Sequence, residues 1–78
     1  MNMLGYELLQ KKKVKEAVAV FRLAAEAFPQ SANAHDSLGE ALLADGDRAG
    51  ATAEYRRALE LDPGSENAKK QLEKLSAP

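Results

Sequence analysis

A single histidine, His35, stands beside Asp36. An imidazole next to a carboxylate is a start toward general acid–base work, and with two further ligands it would be a start toward a zinc site. Neither set is completed. The chain has no cysteine, and no second imidazole stands one helical turn from the first. No glycine-rich phosphate loop is written, and Ser31 and Ser65 fall where helices begin, where a hydroxyl caps backbone N–H groups. The sequence therefore reads as a non-enzyme without cofactor or metal, with His35 in a packing or groove role.

Lysines 11, 12, 13 and 15 form the only local basic run. Eleven basic and twelve acidic residues give a net charge of -1, so no long-range positive field exists to collect nucleic acid or an anionic membrane. Those two partner classes drop, and the run reads as a solvated helix junction. Lack of cysteine suits a reducing and an oxidising compartment equally. Met1 to Gln10 carries Glu7 and lacks a charged leader followed by a long apolar run, so it reads as neither signal peptide nor membrane span. A cytoplasmic location is expected, or a periplasmic one if the chain is cut from a longer secreted parent.

The elements that must hold these residues are helices. Apolar residues make up 45% of the 78, but they are mainly Ala, Leu and Val with four aromatics, which points to an interior of closely approaching helices. Pro29 and Pro63 end helices, Ser31 and Ser65 cap the next ones, and Asp45, Gly46 and Asp47 make a turn with Gly46 in left-handed backbone. Helices are expected near residues 2 to 11, 14 to 27, 32 to 44, 48 to 61 and 66 to 75.

Shifting the sequence by 34 residues pairs Leu4 with Leu38, Gly5 with Gly39, Leu8 with Leu42 and Ala17 with Ala51. It also pairs Phe21 with Tyr55, Ala24 with Ala58 and Pro29 with Pro63. Ala68 and Leu72 repeat Ala34 and Leu38 once more. Gly5 and Gly39 remove a side chain where two helices must touch, and Ala17, Ala24, Ala51 and Ala58 do so from the facing helix. Phe21 and Tyr55 supply the bulk between hairpins, on a core stripe that in the first hairpin runs Val14, Ala17, Val18, Phe21, Ala24 and Phe28.

This pattern, Leu-Gly, a small Ala, an aromatic four later, an Ala three beyond and a Pro, resembles the tetratricopeptide repeat, or TPR. Leu8 and Leu42 stand where that family usually has Tyr, and Met1 and His35 stand at its usual Trp. The resemblance implies an all-α solenoid of two helix-turn-helix repeats, residues 1–31 and 32–65, and a capping helix with tail, residues 66–78. It also implies a scaffold that binds a peptide or protein surface. The first helices of successive hairpins would line its groove, with Asn2, Tyr6 and Leu9, then Asn33, Asp36, Glu40 and Leu43, then Lys70 and Lys74. A familiar use of such grooves is to clamp a carboxylate terminus with Lys, Asn and Arg, but here Asp36 and Glu40 would repel it. A neutral or basic ligand is expected instead.

Val20, Leu23 and Met3 correspond to Glu54, Arg57 and Ser37, so the first hairpin is apolar where the second is polar. With Ala27 they suggest a second, apolar interface to another subunit or a parent domain. In the first hairpin's turn Lys12 and Lys13 replace Gly46 and Asp47, so a continuous helix across Gln10 to Lys15 competes with the turn. A homodimer formed by helix exchange or stacking is expected from these features. Leu4 to Leu9, Phe28 to Glu40 and Ser65 to Lys69 also resemble repeat tails of bacterial serine hydrolases of β-lactamase or esterase type. That resemblance implies an accessory or dimerisation tail.

Overall fold

The computed structural model describes the backbone of residues 2–76 and the side chains of residues 5–76. Five helices follow one another: α1 (Asn2–Gln10), α2 (Val14–Ala27), α3 (Ala32–Ala44), α4 (Arg48–Leu61) and α5 (Glu66–Ser76). They pair as two antiparallel hairpins, α1 with α2 and α3 with α4, and α5 packs on α4. No strand occurs among the described residues. None of the helices is long and apolar enough to cross a membrane.

Helix ends follow the local chemistry. The Ser31 hydroxyl accepts from the Ala34 N–H at 3.2 Å, the Ser65 hydroxyl from the Ala68 N–H at 3.3 Å, and Asp47 from the Gly50 N–H at 2.8 Å. Each satisfies one N–H that the first helical turn leaves unpaired. Lys13, at the start of α2, offers no side-chain cap.

Both hairpins close with the same double hydrogen bond. In the second, Gly46 N–H donates to Leu43 O at 3.0 Å and Asp47 N–H to Leu42 O at 2.9 Å, with Gly46 at φ 83. In the first, Lys12 N–H donates to Leu9 O at 3.0 Å and Lys13 N–H to Leu8 O at 2.8 Å, with Lys12 at φ 62. This arrangement satisfies helix-terminal carbonyls through one left-handed residue, normally glycine. The first hairpin forms it around a lysine, so the turn wins locally over helix continuation in this chain.

The core consists of Ala17, Phe21, Ala24 and Ala25 on α2, Leu38, Ala41 and Leu42 on α3, and Ala51, Tyr55 and Ala58 on α4, closed by Ala68. Glycine makes the aromatic positions workable. A Cβ on Gly39 would come within 3.0 Å of Tyr55 Cε2, and one on Gly5 would run into the tip of Phe21. One expectation for the stripe fails: Phe28 is 52% exposed. It follows the last residue of α2 with φ -130 and ψ 67, so it has left the helical register that buries Phe21 and Ala24. Val14 and Val18 are half-buried.

Candidate partner-binding surface

The first helices of the hairpins and α5 are joined edge to edge by polar side chains. The Tyr6 hydroxyl of α1 lies 3.0 Å from the Ser37 hydroxyl of α3, and either can donate. Ser37 is fully buried there. The Asn67 amide of α5 donates to both oxygens of Asp36 on α3, at 2.8 and 3.0 Å. Tyr6 is held from below by Phe21, edge to face, with ring centroids 5.0 Å apart at 64°.

Most of the residues expected in a groove can be placed on this face. Tyr6 is 36% exposed, Asp36 half-buried, and Asn33, Glu40, Lys70 and Lys74 exposed. Leu9 and Leu43 are half-buried and pack on the core, so they form floor rather than rim. The side chain of Asn2 lies outside the described residues. Among the described residues neither Asp36 nor Glu40 has an ionic partner within reach.

Their negative charge converges on two phenols. Burial raises the pKa of Tyr6, the hydrogen bond from Ser37 lowers it, and the charges of Glu40 and Asp36 raise it again. Tyr55 is pushed up strongly, first by burial and then by Asp36, Glu40 and Tyr6. Both stay neutral hydroxyls at physiological pH, able to donate or accept.

Three residues of this region escape a reading by sequence position. Ser37 is paired with Met3 at the 34-residue offset, which does not show that it is buried beside Tyr6. Asn67 carried one signal, its match to Asn33 at the 34-residue offset. Tyr55 was legible only as a core knob, although its difference from Phe21 is a hydroxyl.

His35 lies elsewhere. Its Nε2 donates to the Pro29 carbonyl at 2.9 Å, and its Nδ1 meets Glu54 Oε1 at 2.7 Å. Both ring nitrogens are engaged, so the ring ties α3 to α4 and to the preceding turn and has no free nitrogen for a substrate. No cluster of three or more metal-ligating side chains occurs among the described residues.

The expected second surface is mixed. Leu23 is 65% exposed and Ala27 exposed, while Val20 is half-buried. The Met3 side chain lies outside the described residues. Of the polar counterparts, Glu54 pairs with His35, and Arg57 reaches Glu60 at 3.4 Å on the surface.

Residues 1–31 and residues 32–65 each match a family model of the tetratricopeptide repeat. The chain belongs to the tetratricopeptide-repeat family. No curated protein matches it. Tetratricopeptide repeats are scaffolds for binding proteins and peptides, a non-catalytic fold. Both repeats keep the glycine, the small alanines and one aromatic, Phe21 or Tyr55, while Leu8 and Leu42 replace the family's usual Tyr.

Proposed function

We propose that the chain is a protein-interaction scaffold, not an enzyme, whose first-helix groove takes a neutral or basic segment of a protein partner. The observation that carries this reading is the pair Asp36 and Glu40, one helical turn apart and without ionic partners among the described residues. These two carboxylates favour a cationic group beside α3 and disfavour a carboxylate terminus there. The test is fluorescence anisotropy with labelled peptides of opposite charge. Basic peptides are expected to bind and to lose affinity in Glu40→Ala; tight binding of an acidic C-terminal peptide, lost in Glu40→Ala, overturns the reading.

A second reading, self-association, is supported by one observation: Lys12 sits at φ 62, a backbone conformation that costs a non-glycine residue about 1 kcal/mol. Opening that turn into a continuous helix would free α1 to pack on a second copy, and the exposed Leu23 offers apolar area for a stacked dimer. Light scattering decides between them. A concentration-independent mass of 8.4 kDa excludes a dimer, and a dimer unchanged by Lys12→Gly excludes the exchanged form. The hydrolase-tail alternative rests on local sequence likeness and is tested by the parent reading frame. An upstream Ser-x-x-Lys or Gly-x-Ser-x-Gly element would support it.

A further inference from the structure

At His35 three parts of the chain meet: α3, which carries it, the turn between the hairpins, and α4. Its side chain is 12% exposed and that of Glu54 22%. Nε2 lies 2.9 Å from the Pro29 carbonyl in the turn, and Nδ1 lies 2.7 Å from Glu54 Oε1 on α4. Both are hydrogen-bond distances, and the two partners have one property in common. A backbone carbonyl and an ionised carboxylate accept and cannot donate. A neutral imidazole has a single N–H, so it serves one of them and turns a bare nitrogen lone pair toward the other. Satisfying both takes two ring protons. Placing the second proton on Glu54 instead is unfavourable, because an imidazole is the more basic group of the two.

The charges around the ring favour that form. Glu54 of α4 touches it, and Glu26 and Arg22 of α2 line the same cleft. Asp36, next on α3, is engaged with Asn67 of α5. Two carboxylates thus stand against one guanidinium at the cleft, which supports a cationic ring. The first hairpin has Met1 and Val20 at the positions of His35 and Glu54, so it cannot build the same link.

We propose that His35 is a proton-dependent clasp: with both ring nitrogens protonated it ties α3 to α4 and to the Pro29 turn at once, and on losing one ring proton it releases the turn. The Pro29 bond is the one given up, because the bond to the Glu54 carboxylate stays charge-assisted with a neutral ring. Both bonds exist only in the folded chain, so protonation favours folding. Raising the pH through the range in which imidazoles titrate removes that support. The clasp sets how firmly the turn between the hairpins is held, beside the exposed Phe28.

Urea denaturation of the full chain at about pH 5.5 and about pH 8 tests the clasp, with the double variant His35→Met/Glu54→Val as the comparison. The folding constant of the wild type should fall about fivefold from the lower pH to the higher, the value of one hydrogen bond, and that of the variant should not. Other groups that titrate in this window are shared by both proteins and cancel. Nitrogen NMR of the His35 ring gives a second reading that needs no variant. Two protonated ring nitrogens are expected at the lower pH, and at the higher one a single N–H, on Nδ1. Unchanged wild-type stability, an equal change in both proteins, or greater stability at the higher pH overturns the clasp. A ring that carries one proton at both pH values, or keeps it on Nε2 at the higher one, overturns it as well.

Discussion

The two hairpins of this chain bury equivalent side chains and diverge in nearly every polar group that the packing leaves free. Phe21 and Tyr55 pass under Gly5 and Gly39 in the same way, and Ala17 and Ala51 are both fully enclosed. The divergence begins where packing stops dictating. The second hairpin has a glycine in its left-handed turn and an aspartate cap, while the first has Lys12 and Lys13. The second joins its helices with His35 and Glu54 at 2.7 Å, while the first has Met1 and Val20 at those sequence positions. The second buries a phenol against Gly39, and the first a plain ring against Gly5. What the repeat fixes is thus the scaffold, and what it leaves free concentrates polar chemistry on α3.

The shared part breaks hardest. Phe21→Ala and Tyr55→Ala should each cost about 3–5 kcal/mol, since both remove a fully buried aromatic. In a chain of this size that is enough to unfold it, and thermal melting followed by circular dichroism reads the loss. A cost below about 1 kcal/mol at either site would mean that the equivalent packing does not carry equivalent weight. The polar link comes next. His35→Ala should cost about 1–3 kcal/mol by stranding Glu54 and the Pro29 carbonyl. His35→Met with Glu54→Val, the first hairpin's residues, should recover most of it in urea denaturation, because an apolar pair leaves no polar group unpaired. If the double variant is no better than the single one, the hairpins do not solve this contact in interchangeable ways.

The turns give a smaller effect. Lys12→Gly should stabilise the chain by about 1 kcal/mol, and Gly46→Lys should destabilise it by a similar amount. Slower amide exchange throughout α1 in Lys12→Gly would show that the first hairpin is the looser one because of its turn. Smallest of all is the outer surface. Leu23→Arg and Phe28→Asp install the second hairpin's residues at exposed sites and should change stability by no more than about 0.5 kcal/mol. A larger loss in sedimentation-matched melts would reveal an apolar contact holding those side chains.

Much of the fold was legible because it is written in spacing. The 34-residue offset, the prolines and the Ser31, Asp47 and Ser65 caps placed the helix ends to within one residue, α1 ending at Gln10 and α5 at Ser76. Local rules suffice for that. Phe28 misled because periodicity continues past the residue at which α2 actually stops, and a single step out of helical register exposes a side chain. The turn at Lys12 shows the opposite: helix propensity favours continuation, yet two hydrogen bonds and the docking of α1 outweigh one strained residue.

The candidate site was less readable, for a physical reason. Which residues face the first-helix surface follows from helical geometry, so Tyr6, Asp36 and Glu40 could be named in advance. Contacts between elements could not. Tyr6 meets Ser37 across 31 positions, Asn67 meets Asp36 across 31, and His35 meets Glu54 across 19. Such pairs depend on how the hairpins stack, and a single sequence carries no coupling signal for them. Tyr55 is intermediate: the exchange of Phe for Tyr is visible in the sequence, but the close packing of its ring against Gly39 is not.

The central claim is that Asp36 and Glu40 make the first-helix face a surface for a positively charged protein segment. A random peptide library selected on the immobilised chain, in parallel with the Asp36→Asn/Glu40→Gln double variant, tests it most directly. Peptides enriched in lysine and arginine and depleted of acids are expected from the wild type, with the enrichment gone from the double variant. Enrichment of acidic peptides, or the same basic enrichment on both proteins, would contradict the account.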